Sequence, residues 1–266
     1  MAEEKEKKLD PTKLSVDPAT VAMLEQAQAA GVETIFDRAE KMKPCPIGAE
    51  GSCCRICSQG PCRIPKPKKP GEEAKGRMGL CGATAETIAA RNFARMVAAG
   101  AASHNDHARG VALLFKEVAY GRAKDYQLKD VAKLKRIAKD WDVAITEGEG
   151  EEKKPRSVEA IAQEMADKII QVFGQQEGEI PYIKRAPKKR QEIWRAEGVV
   201  PRGCDIEIVE LMHRTHMGVD QEYHNIIKQC TRCALSDGWG GSMISTDLQD
   251  ILFGCPVPVA GEINLG

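Results

Sequence analysis

A short cysteine-rich segment constrains the fold of this chain more than any other feature. Six of the ten cysteines lie between positions 45 and 81. Four of them follow one spacing pattern, Cys54-x2-Cys57-x4-Cys62-x18-Cys81. Thiolates two to four residues apart can converge on one inorganic core, because a short turn brings their sulfurs together. Gly60-Pro61 supplies such a turn, so the segment is expected to be a loop organised around metal.

The cysteine count divides the six thiols into four and two. Four thiolates complete one tetrahedral zinc site or one [4Fe–4S] cluster. Cys53 and Cys54 are adjacent, and neighbouring side chains point in different directions. Only one of the two is therefore expected to ligate a given core. Cys45 and Cys53 then form half of a second site. An identical half from a second copy can complete it across a two-fold axis, and the count therefore suggests a homodimer.

Charge and hydropathy exclude several classes of protein. Lys+Arg and Asp+Glu both number 39, so the formal net charge is zero and gives no argument for nucleic acid or an acidic membrane surface. No apolar run approaches the roughly 20 residues that a membrane-spanning helix needs. The N-terminus MAEEKEKKLD is charged where a signal peptide needs an apolar stretch. A cytoplasmic location is expected, where clustered thiols are more often metal ligands than disulfides.

Outside the cysteine segment, apolar residues recur at helical spacing and predict a mainly α-helical fold. Residues 1–16 are polar and charged and are predicted to form a flexible tail. Asp17 before a proline predicts a helix start. Thr84 predicts the start of a helix that ends near residues 99–102, and a clear apolar stripe predicts another that ends at Gly174.

Several boundaries are predicted in the second half of the chain. Residues 147–156 are charged and contain glycines, which is typical of a linker. Asp205 and Asp220 are predicted to cap two helices. The run Gly238-Trp239-Gly240-Gly241 predicts a turn, and only residues 255–259 are predicted to be extended.

Two histidines lie at helical spacing ahead of an apolar stripe. His104 and His107 are followed by Val111 and Leu114 at steps of four and three residues, so all four share one face of a helix. Packing at the edge of the core is the default interpretation.

The remaining cysteines and histidines give weaker signals. Cys230-x2-Cys233 lies within a helical stripe without a second pair, which favours packed thiols over a metal site. Cys204 and Cys255 are isolated and are expected to be buried small side chains. His213 and His216 lie one turn apart, next to Arg214. They are interpreted as structural or as contacts to other domains.

The run CPIGAEGSCCRICSQGPCRI, followed by GLCGATAETIAARNF and AAGAASHNDHARG, resembles the N-terminal domain of the nickel-containing anaerobic carbon monoxide dehydrogenases. The resemblance continues through IVELMHRTHMGVD and STDLQDILFGCPVPVAGEINLG. It implies two types of [4Fe–4S] cluster and a homodimer. The implied ligands of the cluster within each subunit are Cys54, Cys57, Cys62 and Cys81, and those of the cluster shared between subunits are Cys45 and Cys53.

The resemblance also implies an oxidoreductase that converts CO and water to CO2, two protons and two electrons. Electrons would leave the nickel site through the internal and shared clusters to a ferredoxin-like acceptor, and acetyl-CoA synthase or hydrogenase are further implied partners. His104 and His107 are implied to relay protons.

In the family, the nickel–iron–sulfur cluster is held by a histidine and several cysteines in two further α/β domains. This chain is expected to end before them and to be inactive in CO oxidation by itself. Residues 17–252 are expected to form the helical iron–sulfur and dimerisation domain, and residues 253–266 to begin a Rossmann-like α/β domain.

Two alternatives remain open from the sequence. A hybrid-cluster-type redox protein also carries an N-terminal cysteine motif, although the Cys53-Cys54 pair fits it less well. A non-enzymatic zinc-binding interaction domain would use only four of the six clustered thiols.

Overall fold

The structure is a computed structural model that describes residues 9–42, 45–65, 77–148 and 150–256. These residues are mainly α-helical, as the sequence predicts. The α-helices are α1 (Pro11–Leu14), α2 (Pro18–Ala29), α3 (Ile35–Lys41), α4 (Pro46–Ala49), α5 (Ala85–Ala119), α6 (Val131–Ala138), α7 (Val158–Gly174), α8 (Lys188–Ala196), α9 (Cys204–Arg214), α10 (Tyr223–Ser236) and α11 (Ser242–Phe253). Short 3-10 helices cover Lys139–Trp141, Gly150–Glu152 and Pro181–Arg185. The strands form two antiparallel hairpins, β1 (Cys53–Cys54) with β2 (Cys62–Arg63) and β3 (Thr146–Glu147) with β4 (Lys154–Pro155).

The chain divides into two compact units, Met1–Glu50 and Gly51–Gly266. In the first unit, Asp17 caps α2 by accepting a hydrogen bond of 2.8 Å from the backbone N–H of Thr20, which confirms the predicted helix start. The division lies inside the predicted domain of residues 17–252, whose boundaries stay a prediction.

Two segments predicted to lack regular structure contain some. Helix α1 lies within the predicted tail of residues 1–16, of which residues 1–8 lie outside the described residues. The flexibility of that tail stays a prediction.

The β3–β4 hairpin lies at the predicted linker of residues 147–156. At the other end, residues 257–266 lie outside the described residues, so the predicted start of an α/β domain and most of the predicted extended segment are not described.

Helix α5 is the centre of the second unit and packs against α7, α9, α10 and α11. Its buried face consists mostly of small side chains at steps of three and four residues, which let neighbouring helices approach closely. These residues are Ala90, Ala94, Ala98, Ala101, Ala108 and Ala112. The stripe continues through the polar run that follows residue 102, so the predicted end near residues 99–102 is wrong. Asn105 in that run is buried and donates to the backbone carbonyl of Cys204 at 3.0 Å.

The larger apolar core joins the second half of α5 to α6, α7 and α11. Its largest fully buried members are Phe115, Leu134, Ile137, Ile161, Met165, Ile169, Ile180, Tyr182 and Ile183. No helix of the described residues combines the length and the apolar composition needed to cross a membrane.

A π-helical segment, Asp237–Gly241, joins α10 directly to α11, so the turn predicted there is wrong. Its glycines serve packing instead of chain reversal. A Cβ at Gly241 would overlap the Asn105 side chain, and one at Gly240 would lie 3.0 Å from the Cys204 sulfur. Only glycine therefore lets this segment lie against α5 and α9.

The predicted caps of α9 and α10 are also wrong. Helix α9 begins after Gly203, where a Cβ would lie 2.7 Å from the backbone oxygen of Gln175. Asp205 lies inside the helix and accepts a hydrogen bond of 2.7 Å from Arg109. Glu222 caps α10. A tertiary contact, absent from the local sequence, thus fixes the start of α9, whereas α10 starts at a local cap in which Glu222 accepts from the N–H of His224 at 3.1 Å.

Candidate iron–sulfur site

The β1–β2 hairpin places two cysteines opposite each other. Cys54 pairs with Cys62 across the hairpin, and the backbone N–H of Ile64 donates to the carbonyl of Ser52 at 3.0 Å. A Cβ at Gly60 would lie 3.1 Å from both the Cys54 carbonyl oxygen and the Cys62 nitrogen. Any larger residue would therefore have to displace these backbone atoms in the turn that carries Cys57 between the two strands.

Cys81 reaches the hairpin from a separate tight turn. The N–H of Gly79 donates to the carbonyl of Ala83 at 2.9 Å, and Gly82 adopts a φ of 84° that favours glycine. The N–H of Leu80 donates to the Cys62 sulfur at 3.4 Å. This turn thus brings the fourth cysteine beside the other three.

The structure brings together the four thiols that the spacing groups: Cys54, Cys57, Cys62 and Cys81 line one pocket. The pocket wall also includes the apolar side chains of Ile56, Ala83 and Ile88. All four thiols are free of disulfides. Apolar walls and N–H donors aimed at sulfur are the surroundings in which protein tunes an iron–sulfur cluster.

The four thiols fit a cluster better than a single ion. Tetrahedral zinc needs sulfurs about 2.3 Å from one metal, which leaves the thiols almost in contact. Among the described residues, no three His, Cys, Asp or Glu side chains are placed to hold one metal ion. A [4Fe–4S] core is larger and takes one thiolate at each of four irons, so four thiols that line one pocket match its ligand count.

A buried arginine lies beside the site. Arg91 on α5 is only 1% exposed, and its Nη1 donates to the Cys81 sulfur at 3.7 Å. Its Nη2 donates to the backbone carbonyl of Asp220 at 2.9 Å. Burial acts to raise the pKa of the Cys81 thiol, but hydrogen bonds from the Ala83 backbone, Arg91 and Gln221 outweigh it, so the pKa is lowered overall.

Helix α5 also holds the start of the hairpin. Thr84 caps the helix by accepting from the N–H of Thr87 at 3.3 Å, as the sequence predicts. Asn92 Nδ2 donates to the carbonyls of Gly51 and Cys53, at 2.8 and 3.0 Å. Sequence reasoning missed Arg91 and Asn92. The signal for Arg91 was a charged residue next to Ala90 in an otherwise apolar helical stripe.

The two other clustered cysteines lie in different units. Cys45 is exposed and precedes α4 in the first unit, whereas Cys53 is half-buried in β1 of the second.

The two predicted relay histidines are both exposed on α5, so the default interpretation of packed histidines is wrong. His104 Nδ1 lies 2.9 Å from both carboxylate oxygens of Asp237, which also accepts from the Ser242 hydroxyl at 2.7 Å. His213 and His216 are exposed as well.

The other isolated thiols divide into buried and exposed. Cys230 and Cys233 lie on the buried face of α10, and Cys204 is buried at the start of α9. Cys255 is exposed, so its expected burial is wrong. The core reaches α11 but not the residues after it, which explains the exposure.

Comparisons with known proteins place the chain in one family. The Prismane/CO dehydrogenase family profile matches residues 52–266. The chain is 49% identical over 253 residues to carbon monoxide dehydrogenase 1 of Methanosarcina mazei, covering 95% of this chain and 38% of that protein. It is 40% identical over 256 residues to the carbon monoxide dehydrogenase/acetyl-CoA synthase subunit beta of Moorella thermoacetica, covering 95% of this chain and 36% of that protein.

The fold is also similar to solved structures. A nickel-free crystal structure of carbon monoxide dehydrogenase from Thermococcus sp. AM4 superposes with a TM-score of 0.81 at 40% identity, covering 97% of this chain and 39% of that one. The chain thus spans about two fifths of the length of these relatives. On the extent and identity of these matches, the chain belongs to the Prismane/CO dehydrogenase family.

Proposed function

We propose that this chain is the electron-transfer and dimerisation part of a nickel carbon monoxide dehydrogenase. The observation that carries the proposal is the pocket lined by four thiols, with N–H donors to the sulfurs of Cys62 and Cys81. The relatives named above are carbon monoxide dehydrogenases, which favours this function over a hybrid-cluster-type redox protein. In this proposal residues 17–252 are the iron–sulfur domain and residues 253–266 begin the next domain.

The first part of the proposal is an internal [4Fe–4S] cluster held by Cys54, Cys57, Cys62 and Cys81. Such a cluster gains or loses one electron with little rearrangement, because its charge is delocalised. The chain's own residues orient the thiolates and limit water. Leu80 and Arg91 donate to two of the sulfurs, and Ile88, which is fully buried, closes the inner wall.

The second part is a [4Fe–4S] cluster shared between two copies through Cys45 and Cys53. An exposed apolar patch supports this dimer. Phe93 and Met96 on α5 are 50% and 69% exposed, and Phe93 follows directly on Asn92, which holds the Cys53 carbonyl. Exposed large apolar residues beside a half-site are typical of a surface that a second copy covers.

The third part concerns protons and partners. His104 and His107 are exposed, so they can exchange protons with a catalytic domain packed against α5, and imidazole does so near neutral pH. The carboxylate of Asp237 holds the orientation of the His104 ring. The electron acceptor would be a ferredoxin-like protein, and the name of the Moorella relative supports an acetyl-CoA synthase partner.

Anaerobic reconstitution with iron and sulfide tests the two clusters. We expect about six irons per chain, four in the internal cluster and half of a shared four. Cys57→Ala should remove about four irons and leave the dimer, and Cys45→Ala should remove only about two. Iron and sulfide analysis with light scattering for mass gives both readouts.

Two results would contradict this assignment. Colourless protein that binds zinc and no sulfide would indicate the zinc-binding interaction domain instead. An iron content unchanged by Cys45→Ala, in a chain that stays monomeric at micromolar concentration, would rule out the shared cluster.

A further inference from the structure

We propose that Arg91 sets the reduction potential of the internal cluster by holding a fixed, buried positive charge against one of its ligands. The inference rests on the proposed function, since it requires that Cys81 ligates a [4Fe–4S] cluster. It assigns to Arg91 a role that the cysteine pattern alone does not reveal.

The burial of Arg91 is the first step of the argument. Its side chain is 1% exposed and is the largest of the fully buried side chains among the described residues. A buried charge is costly unless it is paired, so a buried guanidinium requires a compensating anion. The side chain lies on the wall of the four-thiol pocket, where the Cys81 sulfur is 3.7 Å from Nη1.

The second step concerns the hydrogen-bond partners of Arg91. Within the described residues, the Cys81 thiolate is the one partner that carries a negative charge. Nη2 donates to the Asp220 backbone carbonyl at 2.9 Å and to Gln221 Oε1 at 3.5 Å. Nε has no hydrogen-bond partner in this part of the chain. The neighbouring carboxylate is engaged elsewhere, since Asp220 accepts from Arg214 at 3.1 Å and from the N–H of Glu222 at 3.0 Å. The anion that compensates Arg91 is therefore the thiolate-ligated cluster itself.

The third step is that the charge is held in place from several sides. Gln221 donates to the Cys81 carbonyl at 3.0 Å, and Thr87 donates to the Gln221 carbonyl at 2.7 Å. Cys81, α5 and the segment before α10 are thus tied together around the guanidinium. A charge fixed in this way does not move aside when the cluster changes its charge.

The consequence is a bias toward the reduced state. An oxidised [4Fe–4S] core with four thiolates is a dianion, and one added electron makes it a trianion. A buried cation beside a ligand sulfur stabilises the trianion more than the dianion, because low-dielectric surroundings screen it weakly. Arg91 therefore raises the potential of the internal cluster, and its removal lowers it.

The test measures the midpoint potential of the internal cluster in the reconstituted chain by anaerobic titration with EPR detection. A Cys45→Ala background removes the shared cluster, so that one signal remains. Arg91→Met removes the charge at similar volume, Arg91→Gln removes it and keeps a donor for the Asp220 carbonyl, and Arg91→Lys keeps the charge. Arg95→Met is the matched control, because Arg95 lies one turn further on α5 and donates to Thr215 Oγ1 at 3.2 Å instead of to a cysteine.

We expect a lower potential in Arg91→Met and Arg91→Gln, most of the parent value in Arg91→Lys, and the parent value in Arg95→Met. A neutral variant with full iron and sulfide content and the parent potential would overturn the inference. Loss of the cluster from both neutral variants would also overturn it, because Arg91 would then act in assembly. A parent chain that holds no iron and sulfide would instead contradict the proposed function.

Discussion

Two regions of this protein carry the same Cys-x2-Cys spacing in different surroundings. In the β1–β2 hairpin, Cys54 and Cys57 line a pocket with two further thiols. In helix α10, Cys230 and Cys233 lie on one face and pack into an apolar cluster with Ala94, Leu211 and Ile226. A helix aims residues three apart at the same neighbour, whereas a turn can spread them around a cavity.

The pKa of the two thiols in α10 differs in direction from that of Cys81. Burial raises the pKa of Cys230 to about 11 and that of Cys233 to about 12, and the nearby Cys230 and Glu207 add to the latter. At Cys81 hydrogen bonds overcome burial and lower the pKa. Because metals bind the thiolate, burial of Cys230 and Cys233 disfavours ligation, whereas the hydrogen-bond donors at Cys81 favour it.

The largest expected difference between the two regions is in thiol reactivity. In metal-free protein at pH 8, iodoacetamide should modify Cys81 about ten- to a hundredfold faster than Cys230, because a pKa raised from 9.0 to about 11 lowers the thiolate fraction about a hundredfold and the higher nucleophilicity of that thiolate offsets only part of the loss. The rate at Cys230 should rise with pH until about pH 11. Mass spectrometry of the labelled peptides gives both rates, and equal rates at pH 8 would remove the contrast.

A second, intermediate effect is expected from glycine substitutions in the two kinds of backbone. Gly60→Ala would place a Cβ 3.1 Å from two hairpin backbone atoms, and we expect a cost of about 1–3 kcal/mol in unfolding free energy together with loss of iron. Gly110→Ala is the matched control, since its Cβ would meet nothing within 4 Å on an exposed face of α5.

The control should gain about 0.5–1 kcal/mol, because alanine favours the helix interior. Denaturant unfolding and iron analysis measure both variants. A Gly60→Ala chain with full iron content would show that the hairpin does not need its tight turn.

The smallest effect is expected for the helical pair. Cys233→Ala should lower the unfolding free energy by about 1–2 kcal/mol, since a fully buried sulfur is deleted, and should leave the iron content unchanged. Cys255→Ala is the control, because Cys255 is exposed, and a change within about 0.5 kcal/mol is expected. Loss of iron in Cys233→Ala would indicate a cluster ligand in α10 and would contradict the interpretation of Cys230 and Cys233 as packed thiols.

Local sequence patterns determined much of this protein. Caps at Asp17 and Thr84 and the apolar stripe that ends at Gly174 follow from residues within a few positions of each other. The grouping of four cysteines into one pocket follows from their count and spacing. Such features depend on backbone propensity and short loops, which a sequence shows directly.

Only the tertiary structure decided the rest. The continuation of α5 to Ala119 requires partners for its alanine stripe, and the π-helical segment ending at Gly241 requires the close approach of Asn105. Arg91 is held in position by a hydrogen bond to the backbone carbonyl of Asp220, which is 129 residues away in the sequence. A buried charge or a glycine contact is stable only with its partners in position, and those partners come together only when the chain folds.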